Sequence, residues 1–168
     1  MSGAPRCRAM RPADLPAVLA VQAACYPPAF IEPAATLRAR LLAAPDTAWV
    51  AERNGAPCAY LVAYRSRLGR VTPLGGDFVP APRADALYLH DLAVAPEAAG
   101  AGCGSRLINR ALRTAREEGL QLALVAVGDA LAFWLRQGFR DAGTLVDAAQ
   151  CAHLASYPGT ARYLVRPA

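Results

Sequence analysis

The sequence predicts one mixed α/β domain over residues 1–168, and three observations carry that prediction. The chain has 168 residues and is 55% hydrophobic, which suits one core and leaves too little chain for two. Short apolar runs typical of strands alternate with amphipathic stretches typical of helices. A glycine-rich turn joins the most apolar strand to the most clearly amphipathic helix. The predicted order of elements is β-α-α-β-β-β-α-β-α-β-β.

The first third of the chain predicts a short strand and two helices. The strand covers residues 6–10, and Asp14 is placed to cap a helix that Tyr26-Pro27-Pro28 ends after Cys25. Glu32-Pro33 opens the second helix. On this helix we expect three leucines to face the core and two arginines to face water: Leu37, Leu41 and Leu42 against Arg38 and Arg40.

The middle of the chain predicts a hairpin, a long loop and a central strand. Asn54-Gly55 is a strong hairpin signal between strands at 48–53 and 57–64. Residues 65–85 are rich in Gly, Pro and Arg, and a loop of that length is often functional. The strand at Ala86–Val94 is apolar apart from His90-Asp91, as expected for a strand covered on both faces.

The last third predicts helix, strand, helix and two closing strands. The first helix covers residues 105–118 and ends at Gly119. A strand at 122–127 follows, and Asp129 caps a helix through Gln137. The closing strands are expected at about 139–146 and 161–166.

Glycines at positions 100, 102 and 104 make the turn before the third helix a candidate phosphate site. Glycine lets backbone N–H groups approach a ligand, and the helix start adds free donors and the positive end of its dipole. A P-loop is excluded because the chain has no lysine. A dinucleotide site, with Asp129 as its ribose-binding acid, has Ser105 where the third glycine belongs and too little chain after it. A plain structural turn stays open.

Two motifs together resemble the GNAT superfamily of acyl-CoA N-acetyltransferases. The first is Leu92-Ala93-Val94-x-Pro-x-x-x-Gly-x-Gly-x-Gly, and the second is Phe133-Trp134-x-x-x-Gly138-Phe139. The resemblance covers residues 88–139. It implies a three-layer fold with helices on both faces of a central mixed sheet, splayed in the middle where acetyl-CoA lies.

The resemblance also implies which residues bind coenzyme A. The glycine turn would hold the pyrophosphate, the strand before it would bind the pantetheine arm through its backbone, and Trp134 would pack on that arm. Ala99 stands where the family usually has Arg or Gln, and Trp134 where many members have a tyrosine that protonates the thiolate; indole is no usable acid. The cofactor residues are Leu92, Ala93, Val94, Ala99, Gly100, Ala101, Gly102, Cys103, Gly104, Ser105 and Trp134.

His90 is the candidate general base, because an ammonium acceptor must lose a proton before it attacks. In arylalkylamine acetyltransferases, which this stretch resembles, two histidines flank one residue; they correspond here to Tyr88 and His90. A hydrogen-bonded core histidine is the alternative. Strand alternation puts Asp91 on the opposite face. We expect the acceptor site at residues 26–32 and 65–85, with Tyr26, Phe30 and Glu32 as substrate contacts, although Glu32 as an ordinary solvated charge is the default.

The sequence thus predicts a cytoplasmic N-acetyltransferase that moves an acetyl group from acetyl-CoA to a primary amine by direct attack. The alternative is a non-catalytic acyl-CoA-binding sensor. No signal peptide or membrane span is evident, and five cysteines without a C-x-x-C pair favour reduced thiols and no structural metal. The net charge of +5 comes from dispersed arginines, which argues against nucleic acid. A small-molecule amine is the expected partner; a homodimer and the identity of the acceptor stay open.

Overall fold

In residues 3–168, the part of the chain that the computed structural model describes, seven strands form one open sheet and five helices cover its two faces. The strands are β1 (Arg6–Ala9), β2 (Ala48–Arg53), β3 (Ala56–Ser66), β4 (Ala86–Val94), β5 (Gln121–Val127), β6 (Arg140–Asp141) and β7 (Ala161–Arg166). The helices are α1 (Leu15–Cys25), α2 (Ala34–Ala43), α3 (Cys103–Glu118), α4 (Ala130–Arg136) and α5 (Ala148–Leu154). The predicted mixed three-layer fold is confirmed.

The sheet has the order β1-β2-β3-β4-β5-β7-β6 and is antiparallel except where β4 and β5 pair. That parallel pairing covers only Ala86–Leu89 against Gln121–Leu124. Beyond it the two strands have no ladder between them, so backbone groups of both face an opening in the middle of the sheet. The predicted splay of the sheet lies here.

Two apolar clusters occupy the two faces of the sheet. On one face, α3 contributes its apolar stripe and α4 contributes Trp134. On the other face, α1 and α2 pack through Val18, Val21, Leu37 and Leu41. Among residues 3–168 no helix is long and apolar enough to span a bilayer.

The orientation predicted for α2 is partly wrong. Arg40 is 2% exposed, whereas Leu42 is 70% exposed. A helical stripe follows i, i+3, i+4 and i+7, so Leu37, Arg40, Leu41 and Ala44 share the buried side. An internal partner for the guanidinium, described below, makes this burial tolerable.

The C-terminal strand pair also differs from expectation. Only two residues of the predicted 139–146 strand are extended in β6, and α5 follows, which the sequence analysis did not predict. Asp147 caps α5 by accepting from the Gln150 amide at 2.9 Å. Asp14 precedes α1 as predicted, but its carboxylate binds the Arg8 side chain and the Arg11 amide and caps no amide of α1.

Candidate active site

A cavity of about 560 Å³ opens where β4 leaves β5. The end of α1, the second half of β4, the end of β5, the start of α4 and the segment before β7 form its walls. The lining includes Cys25, Tyr26, Pro27, Phe30, Glu32, Leu74, His90, Asp91, Leu92, Val125, Val127, Asp129, Trp134, Tyr157 and Pro158. The volume suits part of a drug-sized ligand.

A β-bulge in β4 places two polar side chains side by side. The register pairs Asp91 with Val62 and Leu89 with Ala63, so His90 has no partner on β3. An extra residue breaks the two-residue alternation. His90 and Asp91 therefore share the face covered by α1 and α2, and the prediction that they point to opposite faces is wrong.

His90 is held by a buried carboxylate. Its Nε2 lies 3.2 Å from Glu32 Oε1, and its side chain is 2% exposed. Arg40 donates to both oxygens of the same carboxylate, at 2.7 and 2.5 Å. The other ring nitrogen, His90 Nδ1, is buried and has no hydrogen-bond partner in residues 3–168.

Hydrogen bonds hold both the carboxylate and the backbone of Glu32. Its carboxylate also accepts from the Gly75 amide at 2.8 Å, and its backbone exchanges two hydrogen bonds with the Gln22 side chain. Burial acts to raise the pKa of Glu32, but hydrogen bonds from His90 and Arg40 outweigh it and hold the pKa well below its usual range. Glu32 is therefore a buried carboxylate, and the expectation of a solvated charge is wrong.

Asp91 has different partners. Tyr26 donates to its Oδ1 and Tyr60 to its Oδ2, each at 2.5 Å. Burial raises the pKa of Asp91, although these two hydrogen bonds act to lower it. Burial, followed by the charge of Asp91, raises the pKa of the Tyr26 hydroxyl, which therefore stays protonated.

Phe30, predicted for the acceptor site, and Tyr88, predicted beside the base, lie close to His90 and Asp91. The Phe30 ring is in the cavity wall, 6.5 Å from the Tyr26 ring. Tyr88 is fully buried beside His90, with ring centroids 6.3 Å apart, and does not line the cavity. The Tyr88 hydroxyl has no hydrogen-bond partner among residues 3–168, and burial raises its pKa.

The backbone of β4 beyond the bulge faces the opening. The Leu92 carbonyl accepts from the Tyr26 hydroxyl and the Val94 carbonyl from the Cys25 thiol, each at 3.1 Å. Both donors come from α1 and its end, so these carbonyls point away from β3. Ala93, between them, is buried. Because N–H and C=O of one residue share a direction in a strand, the Leu92 and Val94 amides also face the opening.

The glycine turn ends in an uncapped helix start. Gly102 is the N-cap of α3 with φ +82°, and no side chain caps the helix. Gly100 has φ +77°, and a Cβ on either glycine would meet no atom within 4 Å. The first amides of a helix have no partner within it, so those of Cys103, Gly104 and Ser105 suit an anion. Ala99 and Ala101 present only methyl groups in this turn.

The side chains of Trp134 and Cys103 make mainly packing contacts with other side chains. The Trp134 ring meets the Phe139 ring edge-on at 5.2 Å and also borders the cavity. The Cys103 side chain is buried, with its thiol 3.6 Å from that of Cys58. No cluster of three or more His, Cys, Asp or Glu residues within 3–168 is arranged to hold a metal ion.

A family model for GNAT acetyltransferases matches residues 15–139. The chain belongs to this family. The predicted enzyme class, an acyl-CoA N-acyltransferase, is confirmed at the level of the family. No curated protein matches the chain.

Solved structures of GNAT proteins share the fold. The GphF GNAT-like decarboxylase in complex with isobutyryl-CoA is 24% identical with a TM-score of 0.81, over 96% of this chain and 98% of that chain. The loading GNATL domain of CurA from Lyngbya majuscula is 13% identical with a TM-score of 0.74, over 97% and 96%. The ribosomal-protein-S18-alanine N-acetyltransferase from Escherichia coli is 18% identical with a TM-score of 0.67, over 99% and 94%.

Arg40, Tyr60 and Asp91 belong to this site, although the sequence predicts a site role for none of them. The position of Arg40 on the buried stripe of α2 was a usable signal. The bulge in β4 had no signal in the sequence, because an extra residue does not change the composition pattern of an apolar run. Tyr60 looked like any inward-facing strand residue.

Proposed function

We propose that this GNAT protein transfers the acetyl group of acetyl-CoA to a primary amine, which attacks the thioester directly. The observation that supports it best is His90: a buried imidazole in a cavity wall, held through one nitrogen, with the other nitrogen unpartnered. This is the arrangement that a general base needs.

Glu32 determines which nitrogen of His90 is basic. An ionised carboxylate can only accept hydrogen bonds, so the proton of a neutral His90 resides on Nε2. The lone pair is then on Nδ1, which takes a proton from the amine. The amine nitrogen bonds to the thioester carbon, the C–S bond breaks, and the thiolate leaves, while the nitrogen loses its second proton to water to give the amide.

The rest of the proposed site binds coenzyme A. The pyrophosphate lies on the amides of the glycine turn and the start of α3, and the pantetheine arm runs along Leu92–Val94 into the opening of the sheet. Main-chain N–H groups there stabilise the developing oxyanion. Trp134 packs on the arm and cannot act as an acid, so the thiolate takes its proton from water or another group.

Decarboxylation of an acyl-CoA is a second candidate, favoured by the similarity to the GphF decarboxylase. Loss of CO2 from a malonyl-type thioester leaves an enolate that a protonated His90 would quench. Asp91, a carboxylate in the cavity wall for which residues 3–168 show no ion pair, argues against this candidate because it repels a carboxylate on the substrate.

One assay separates the candidates. Purified protein is incubated with acetyl-CoA and an amine panel of 2-phenylethylamine, n-butylamine, spermidine, alaninamide and a peptide with a free N-terminus, and thiol release is recorded. Malonyl-CoA without amine is the parallel sample. Amine-dependent thiol release supports the proposal, and amine-independent formation of acetyl-CoA from malonyl-CoA supports decarboxylation. Coenzyme A binding without either reaction supports the sensor alternative.

We also propose a small-molecule acceptor and a cytoplasmic site of action, with neither nucleic acid nor a membrane as partner. All five cysteines are free thiols, which suits a reducing compartment. A homodimer stays open.

A further inference from the structure

The buried Glu32 and the partly exposed Asp91 face the same cavity, and they differ in their counterions. Glu32 forms an ion pair with Arg40 and a hydrogen bond with His90, whereas within residues 3–168 the structure shows no ion pair for Asp91. The positive charge next to Asp91 is that of His90 when protonated, and His90 is already bound to Glu32.

The Asp91 carboxylate can accept more hydrogen bonds than the two tyrosine hydroxyls supply. The two tyrosine hydroxyls occupy one hydrogen-bonding position on each oxygen of its carboxylate, and an ionised carboxylate offers about four. Part of the Asp91 surface remains accessible and opens onto the cavity. A carboxylate deep in a protein is unfavourable unless a cation or further hydrogen bonds stabilise it.

The surroundings of Asp91 suit an organic cation. The aromatic rings of Tyr26 and Phe30 line the same wall, and aromatic faces attract ammonium groups. Leu74, Tyr157 and Pro158 make other parts of the lining apolar. His90, the proposed base, is the neighbouring residue, and its buried Nδ1 has no hydrogen-bond partner in residues 3–168.

We propose that Asp91 is the anionic subsite that binds the acceptor as an ammonium ion, and that the acceptor has an apolar body without a carboxylate beside the amine. This inference rests on the proposed acetyl transfer. Asp91 repels an acceptor that carries its own carboxylate, as a free α-amino acid does, whereas the charge of Glu32 is compensated by Arg40. Tyr26 and Tyr60 hold Asp91 in place as positioning residues.

The test compares wild type with Asp91→Asn, using the best amine of the panel and its analogue with a hydroxyl in place of the amino group. We expect the KM for the amine to rise by about tenfold or more in the variant, as for loss of a charge-assisted contact. The inhibition constant of the neutral analogue and the KM for acetyl-CoA stay the same. Tyr60→Phe is the matched control, because it removes one hydrogen bond to Asp91 and keeps the charge; it should leave the preference for amine over alcohol intact.

Several outcomes would overturn the subsite. An unchanged KM in Asp91→Asn, or an equal change for amine and alcohol, means that Asp91 is a structural residue. If Asp91→Asn does not fold, the subsite is tested with two substrates of the wild-type protein. The kcat/KM for 2-phenylethylamine should exceed that for phenylalanine by about a hundredfold. Equal values refute the subsite. Absence of turnover with every amine refutes the proposed function itself, whereas turnover with an unchanged Asp91→Asn refutes only the subsite.

Discussion

At the scale of single residues, the proposed chemistry depends on an extra residue in β4. The bulge directs His90 and Asp91 to one face and so brings an imidazole and a carboxylate to the same cavity. With regular alternation, one of them would point into the opposite core. Bulges are frequent beside active sites because they re-aim a side chain.

His90→Gln should abolish base catalysis and keep cofactor binding. Glutamine can still donate to Glu32 but cannot take a proton at neutral pH. In wild type, kcat/KM should rise with pH, because the deprotonated ring is the active form. The variant should lose that rise and about a hundredfold or more in rate. Retention of both rate and pH profile, with acetyl-CoA affinity measured by calorimetry as control, would make His90 a core residue.

Glu32→Gln should lower both activity and stability. The variant no longer fixes the proton on Nε2 and leaves Arg40 buried without its carboxylate, which costs about 3–5 kcal/mol. Urea unfolding measures the stability, and the pH–rate profile measures the effect on His90. Glu32→Asp is the control that keeps the charge, and partial recovery of the profile is expected. A pH–rate profile identical to wild type in Glu32→Gln would exclude a positioning role.

The same residue gives an acid-sensitive contribution to stability. The pKa of Glu32 is lowered in the folded state, so the unfolded chain takes up the proton first. Its stabilisation is complete above the usual carboxyl pKa, about 4.3, and is lost as the pH falls toward the lower folded value. The stability difference between wild type and Glu32→Gln should therefore shrink between pH 7 and about pH 3. A difference that grows on acidification would contradict this sign.

At the residue scale, the sequence predicts His90 as a candidate base by residue type and position, and that role stays a prediction. The structure adds a buried partner, Glu32, and a second ring nitrogen without a hydrogen-bond partner in residues 3–168. The network around it was not predictable because its members come from α1, α2 and the loop at residues 67–85. Arg40 and Gly75 meet Glu32 only after the chain has folded.

At the scale of elements, the glycine turn and α3 form one proposed unit for anion binding. Gly102→Val puts a branched side chain into the open space above the turn and strains a residue with φ +82°. Coenzyme A affinity, measured by calorimetry, should fall by about tenfold or more, about 1.4 kcal/mol.

A valine at the other end of the same helix provides the control. Gly119 also has positive φ, +67°, and open space around its Cβ position. Gly119→Val should therefore impose a comparable backbone strain and leave coenzyme A affinity unchanged. Equal affinities for Gly102→Val and wild type would remove the phosphate role from the turn.

The packing of α4 gives a prediction for Trp134. Because the indole meets Phe139 and borders the cavity, Trp134→Phe retains an apolar ring and should keep most of the activity. Trp134→Ala should destabilise the protein by about 3–5 kcal/mol, as measured by urea unfolding. A loss of kcat above about a hundredfold in Trp134→Phe, with stability and binding intact, would assign the indole N–H a catalytic role.

A helix or strand could be predicted from the sequence when its residues show a clear apolar period and clear ends. The 16-residue helix α3 has a sharp apolar stripe and a glycine at each end, and its prediction was correct within two residues. The seven-residue α5 has no buried residue, so no apolar period could reveal it. Its cap, Asp147, was the one local signal.

At the scale of the whole molecule, the partial pairing of β4 and β5 is what makes a site. Four residue pairs join the strands before they separate. The opening then exposes the backbone of Leu92 and Val94, and the bulge directs His90 and Asp91 into the same cavity wall. The family's motifs made the splay predictable, whereas the acceptor side depends on long-range packing of residues 26–32 and 67–85.

The most direct test follows the acetyl group itself. The protein is incubated with acetyl-CoA carrying a labelled acetyl group and the amine panel, and the products are analysed by mass spectrometry. The account predicts labelled amide and free coenzyme A in equal amounts, with the label absent from the protein and the yield strongly reduced in His90→Gln. Coenzyme A released without labelled amide, or no release with any amine, would contradict it.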